Sequence, residues 1–248
     1  MNLSVIANAA LAGGFFVLFA LPALARRQKR WWVAAVFVVA LLDSAMTLLP
    51  VIDHQLQFPG VHWNWAGKVF SIAAMLAVAA AMIAAWRLSA RDIGLTFRQA
   101  PGTGRALLAV ILPYLVVLVA LALAMFGNSA PPSRETLAYQ ATMPGLAEEL
   151  SYRGLQLAMF DRMFAGRIRL LGAEIGYCAF AVSIVFGLLH GVGFDGGFHL
   201  QVSALAIGVT GTIGFVLAWL RERTRSLALP VVLHNVTNLI LEGVPKIF

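Results

Sequence analysis

Four side chains that could act together on a water molecule stand in otherwise apolar stretches of this 248-residue chain. Glu148 begins one such stretch and His190 closes a second. His234 and Asn238 lie four residues apart in a third. A carboxylate in a partly apolar site can act as a general base, and an imidazole beside it can help to polarise the same water. An amide and a second imidazole can donate hydrogen bonds to a developing oxyanion, so the set predicts hydrolysis.

The second acid of the pair has a different predicted role. Glu149 and Arg153 are four residues apart, so on a helix they share one face and can form an ion pair. Glu148 points about 100° away from that face, since a helix has 3.6 residues per turn, and is free to face a cavity. Two acids near a helix start also suit the positive end of the helix dipole. That explanation does not account for an arginine one turn later.

Plainer explanations exist for the other members of the set. A histidine at a helix end, such as His190, is often only a satisfied polar residue. His234 and Asn238 could form hydrogen bonds between packed helices. Asp43 is expected to line the cavity or to bond to a neighbouring helix, and Glu174 to lie near the cytoplasmic interface. Neither acid is assigned to the catalytic set.

The same residues do not decide whether the site uses a cofactor. Two histidines and a carboxylate are a common zinc ligand set with one open position, which here would be Glu148, His190 and His234. The sequence has no His-Glu-x-x-His motif, so an ordinary zincin is not expected. It also lacks the Gly-x-Ser-x-Gly elbow of serine hydrolases. The two alternatives are therefore no cofactor or a divalent metal such as zinc.

The composition indicates which class of protein carries these polar side chains. The chain is 60% hydrophobic and only 12% charged, whereas a soluble domain carries about 25% charged residues. Such a chain cannot cover itself with charge in water, which makes it an integral membrane protein. The basic residues fall in short clusters between apolar runs, where lipid headgroups explain them, and nucleic acid is not an expected partner.

A span of the bilayer needs about 20 mostly apolar residues. This criterion predicts an all-α, polytopic helical membrane bundle of about eight transmembrane helices, within a single membrane domain over residues 1–248. Four N-terminal helices occupy residues 1–126, and the polar groups follow within residues 144–244. The predicted spans are 4–25, 32–51, 68–86, 106–126, 144–164, 170–190, 200–220 and 227–244.

The loop charges predict the orientation. Lysines and arginines concentrate at 26–30, 87–105, 162–169 and 221–225, whereas the opposite loops hold Lys68, Arg134 and Lys246. The positive-inside rule makes the first set cytoplasmic and puts both termini outside. Glu148 and His190 then lie near the outer ends of their helices. Either the substrates are exported or surface-anchored, or one of the spans is re-entrant.

The spacing of the motifs resembles that of one family. The motifs Glu148-Glu149-x-x-x-Arg153, Phe186-x-x-x-His190 and His234-x-x-x-Asn238 resemble those of the CPBP family. These are the CAAX proteases and bacteriocin-processing enzymes, also called the Abi family, related to the Ras-converting CAAX prenyl endopeptidase. Each motif alone is weak, but all three in this order at transmembrane positions are specific. The resemblance covers about residues 144–240 and makes 144–244 a CPBP-type catalytic core.

The resemblance implies a role for each motif residue. Glu148 and His190 would activate water, and His234 and Asn238 would stabilise the oxyanion. Supporting positions would be filled by Glu149, Arg153 and Phe186. Both a glutamate-type and a metal-dependent mechanism are compatible with the family, so the resemblance does not choose between them.

The sequence therefore predicts an intramembrane endopeptidase. Its partners would be the lipid bilayer and a membrane-anchored peptide or protein substrate. We expect a bacterial inner (plasma) membrane location, where ordinary prenylated CAAX proteins are lacking, so a prenylated substrate is not inferred. One alternative is a non-catalytic scaffold or regulator on the same fold. Another is a small-solute or ion transporter with the acids as a proton relay, which the absence of a visible sequence repeat disfavours.

Overall fold

The computed structural model describes residues 3–126 and 131–243, and most of them are helical. In the N-terminal half, α1 is Leu3–Ala20, α2 is Arg30–Ile52, α3 is Trp65–Ala84 and the short α4 is Ala90–Ile93. Then α5, Thr103–Ala106, continues through π-helical turns at Leu107–Ile111 into α6, Leu112–Phe126. The long members of this set read as apolar nearly all round, as expected of helices surrounded by lipid and by one another.

The C-terminal half is more broken. α7 is Arg134–Gln140 and α8 is Met143–Glu148, followed by π-helical turns over Glu149–Gln156 and by α9, Leu157–Met163. A hairpin of β1, Arg167–Leu170, and β2, Ala173–Gly176, leads into α10, Tyr177–Gly191. A second antiparallel hairpin joins β3, Val192–Phe194, to β4, Leu200–Val202. Two helices complete the fold: α11, Ala204–Thr224, and α12, Ala228–Gly243.

The helices form a membrane bundle, as predicted from composition. Among residues 3–126 and 131–243, five helical segments are long and apolar enough to cross a bilayer: Leu3–Ala25, Arg27–Ile52, Trp65–Ala84, Thr103–Ala124 and Ala204–Thr224. The apolar α10 is shorter than these. The count of eight spans therefore stays a prediction. Residue 244, the predicted end of the last span, and Lys246, one of the predicted outer charges, lie outside the described residues.

Three predicted spans need correction. The span 144–164 is divided into α8, the π-helical turns and α9. The span 170–190 begins as a hairpin, because Leu171 and Gly172 adopt positive φ angles of 48° and 81° and reverse the chain. Glu174 in β2 is mostly exposed, with 67% of its side chain accessible, as expected near an interface. Val192–Phe194 forms β3, and the helix predicted over 200–220 begins only at Ala204.

Small residues bring α10 and α11 into close contact. A Cβ atom placed on Gly187 would lie 2.5 Å from the carbonyl oxygen of Ile207 and 3.0 Å from Cα of Gly211. Close backbone approach of this kind strengthens helix association where lipid removes the hydrophobic driving force. Because α10 carries His190, this contact also fixes the height of that histidine in the bundle.

We predict that Gly187→Ala destabilises the bundle by about 1–3 kcal/mol, since the added methyl group forces two backbones apart. Gly208→Ala on α11 is the matched control, because a Cβ there meets nothing within 4 Å. Thermal unfolding of both variants in detergent measures the difference. Equal melting temperatures for the two variants would contradict this account of the α10–α11 contact.

Candidate active site

A glycine contact sets α8 beside α12. The backbone N–H of Gly145 donates to Oδ1 of Asn235 over 2.9 Å. A Cβ on Gly145 would lie 2.4 Å from that oxygen and 2.7 Å from the carbonyl oxygen of Val231. Only glycine therefore permits this approach. The approach brings Glu148 at the end of α8, and Glu149 directly after it, close to His234 on α12.

Glu149 connects two elements through one oxygen atom. Its Oε1 accepts a hydrogen bond from Nη1 of Arg153 at 2.9 Å and another from Nδ1 of His234 at 2.7 Å. The side chains of Glu149 and Arg153 are completely buried. Nη2 of Arg153 reaches further, to the carbonyl oxygen of Gly214 on α11 at 3.0 Å. The predicted ion pair is confirmed, and it also holds a histidine that the sequence did not connect to it.

Phe186 lies between the arginine and the two histidines. The guanidinium carbon of Arg153 is 4.4 Å from the centre of the Phe186 ring, a cation–π contact. The same ring lies 4.4 Å from the His190 ring and meets the His234 ring edge-on at 6.0 Å. Phe186 therefore limits the positions that both imidazoles can adopt.

Hydrogen bonds define which nitrogen each histidine presents. Nδ1 of His190 lies 2.7 Å from the carbonyl oxygen of Phe186, and Nδ1 of His234 contacts the Glu149 carboxylate. A carbonyl and a carboxylate accept only, so both Nδ1 atoms carry the proton. Nε2 of each ring is then left for the site. In His234 it faces Oε2 of Glu148 at 3.7 Å, a separation too long for a direct hydrogen bond.

Glu148 lines a cavity of about 200 Å³ together with His190, Asp43 and Tyr152. Its other oxygen, Oε1, is 2.7 Å from Nζ of Lys68, which lines the same cavity. Lys68 had been assigned only to the sparse outer charges. The sequence did hold a signal, because a lysine four residues into the apolar α3 is costly unless it is paired.

Asp43 is part of the same polar group. Its carboxylate accepts hydrogen bonds from the hydroxyls of Ser71 on α3 and Ser151 in the π-helical turns, the latter at 2.7 Å. Both expectations for Asp43 therefore hold, since it lines the cavity and also bonds to neighbouring elements. Through Ser151 it ties α2 to the segment that carries Glu148 and Glu149.

Asn238 is placed differently from the other three. Its Nδ2 donates a hydrogen bond to Oε1 of Gln140 on α7 over 3.1 Å. This bond agrees with the alternative explanation, in which Asn238 forms a hydrogen bond between packed helices. Gln140 was not anticipated, because nothing in its neighbourhood in the sequence marks it. The structure thus brings Glu148, His190 and His234 together, whereas the contact that it shows for Asn238 is the one to Gln140.

The geometry does not fit a three-ligand metal centre. In the part of the chain that the structure describes, the donor atoms of Glu148, His190 and His234 do not all come within 4.8 Å of one another. The Lys68 ammonium already neutralises Oε1 of Glu148, where a dication would have to compete with it. Asp161, Cys178 and Glu222 do each place a possible ligand atom within 4.8 Å of the other two. There, Arg167 pairs with both carboxylates, at 2.6 and 2.9 Å.

Comparison with known proteins adds one finding. Residues 134–240 match the family model described as type II CAAX prenyl endopeptidase Rce1-like. No curated protein and no solved structure matches the chain. The matched segment runs from α7 into α12 and contains every motif residue quoted above, whereas Lys68 and Asp43 precede it. The resemblance read from the motifs is confirmed. Over residues 134–240, the chain is therefore similar to the Rce1-like CAAX prenyl endopeptidases.

Proposed function

We propose that the protein is an intramembrane endopeptidase in which Glu148 activates the water molecule that attacks the scissile peptide bond. The observation that carries the proposal is the position of its carboxylate. Glu148 lines a polar cavity inside an apolar bundle, between the Lys68 ammonium and Nε2 of His234. The substrate would be a membrane-anchored peptide or protein, because only such a chain reaches a cavity at this depth.

The first step is the attack by water. Oε2 of Glu148 and Nε2 of His234 are 3.7 Å apart, so both can contact one water molecule or substrate oxygen that lies beside them in the cavity. The Glu148 carboxylate takes one proton from the water, and the hydroxide oxygen forms a bond to the carbonyl carbon. Nε2 of His190, whose Nδ1 is already engaged, accepts a hydrogen bond from the same water.

The oxyanion that forms in this attack must be stabilised by hydrogen-bond donors. His234, when it carries a second proton, donates from Nε2 while Glu149 holds its Nδ1 proton. Asn238 has two amide hydrogens, so one remains for the oxyanion after its bond to Gln140. Lys68 adds a positive charge next to the base and favours the developing negative charge. When the intermediate collapses, the C–N bond breaks and the proton held by Glu148 passes to the leaving amine.

A non-catalytic scaffold or regulator is the second candidate. It gains support from the ion pair between Lys68 and Glu148, because that pair satisfies the carboxylate without any substrate. The two candidates differ in what loss of the Glu148 charge does. An enzyme loses its turnover, whereas a scaffold keeps its cellular role as long as the fold survives.

We predict that Glu148→Gln lowers the rate of peptide cleavage by about 10²–10⁴-fold, the usual contribution of a general base. The assay is cleavage of membrane-anchored peptides by purified protein in proteoliposomes, read by mass spectrometry. Glu174→Gln is the matched control, since that carboxylate is mostly exposed in β2. Undiminished cleavage by a folded Glu148→Gln protein would falsify the assignment of the base.

Glu149→Gln should act on the fold as well as on the site. It leaves the fully buried Arg153 without a counter-charge, which costs about 3–5 kcal/mol in comparable buried pairs. Arg162→Gln is the control, because its pair with Asp92 is exposed and should contribute less than about 1 kcal/mol. Thermal unfolding of both variants measures this. A smaller loss for Glu149→Gln than for Arg162→Gln would show that the buried pair is dispensable.

A further inference from the structure

We propose that a second cavity, lined by arginines, binds the phosphate of an anionic lipid headgroup. Its volume is about 710 Å³, and it lies among the connection from α4 to α5, the end of α9 and the end of α11. Six arginines and three acidic residues line it, which gives it a formal excess of three positive charges. The arginines are Arg91, Arg98, Arg162, Arg167, Arg221 and Arg225.

This cavity is separate from the active site. Lys68 stands in the first turn of α3, and the lining segment begins only after α3 ends at Ala84. At 1.5 Å of rise per residue, Lys68 and Ala84 are about 24 Å apart along the axis of this helix. The arginine-lined cavity therefore lies where the apolar spans stop, at the level of lipid headgroups.

Three of the six arginines form ion pairs with acidic residues of the lining. Arg162 pairs with Asp92 at 2.6 Å. Arg167 and Arg225 share the buried Glu222 at 2.9 and 3.0 Å. These pairs organise the walls of the cavity but leave part of its charge uncompensated.

Two guanidinium groups remain available. Within residues 3–126 and 131–243, the side chains of Arg91 and Arg98 make no ion pair and no hydrogen bond, and both line the cavity. The buried Arg221 donates to the carbonyl oxygens of Arg91 and Asp92, at 3.3 and 2.7 Å, and so fixes the backbone that carries Arg91. A planar guanidinium binds phosphate oxygens in pairs, which makes phosphate the matching ligand class.

Exposed aromatic rings favour a lipid as the source of that phosphate. Trp86 and Phe97 flank Arg91 in the sequence, and their side chains are 94% and 92% exposed. Aromatic residues in such positions settle at the interface between lipid and water. With both rings inserted at this interface, the guanidinium groups of Arg91 and Arg98 are held at the depth of the headgroup phosphates.

The test is a lipid titration of the purified protein followed by native mass spectrometry. We expect the Arg91→Gln/Arg98→Gln protein to bind phosphatidylglycerol about thirtyfold more weakly than the unchanged protein, since each arginine near the surface contributes about one kcal/mol. Arg26→Gln/Arg105→Gln is the control. Both of its arginines belong to the same predicted leaflet and neither lines the cavity.

Three outcomes would overturn the proposal. The first is equal weakening in the control, which would mean diffuse attraction without a site. The second is equal binding of phosphatidylcholine, since the cavity would then not distinguish an anionic headgroup. The third is displacement of the lipid by millimolar inorganic phosphate, which would assign the cavity to a soluble anion. Melting temperatures without added lipid verify that both double variants are folded.

Discussion

The carboxylate of Glu149 accepts hydrogen bonds from two directions while it has no access to water. One comes from Arg153, one turn along its own segment, and the other from His234 on α12. A buried charge is tolerated only when such partners compensate it. This requirement fixes the segment that follows α8 against α12, and Arg153 extends the constraint to α11 through Gly214. The orientation of His234, and hence of the Nε2 atom that faces Glu148, depends on this one carboxylate.

The neighbouring acids illustrate how two identical side chains acquire different properties. Glu149 meets a guanidinium and an imidazole in a closed environment, whereas Glu148 meets an ammonium at the edge of a cavity. π-Helical turns begin directly after Glu148. Such turns are frequent at functional sites, because they rotate consecutive side chains out of the ordinary helical register. The separation of roles thus comes from local backbone geometry combined with distant partners.

Spacing within one helix was predictable from the sequence, and contacts between helices were not. The i, i+4 relation identified the Glu149–Arg153 pair, and the order of the three motifs identified the resemblance that the family model supports. Lys68 lies 80 residues before Glu148, and no periodicity connects the two. The same limit applies to Asn238, whose partner Gln140 is fixed by the packing of α7 on α12. The predicted span 170–190 begins too early because apolar residues also occupy the hairpin that precedes α10.

Lys68 and Asp43, which line the same cavity as Glu148, lie on the N-terminal helices and outside the segment that matches the family model. The central claim is that Glu148, assisted by these charges, activates water without a metal. The most direct test is the cleavage rate of a membrane-anchored peptide by protein dialysed against a strong chelator, with its metal content verified by elemental analysis. The account predicts an unchanged rate in the metal-free protein. A rate that falls to background and returns on addition of zinc would contradict it.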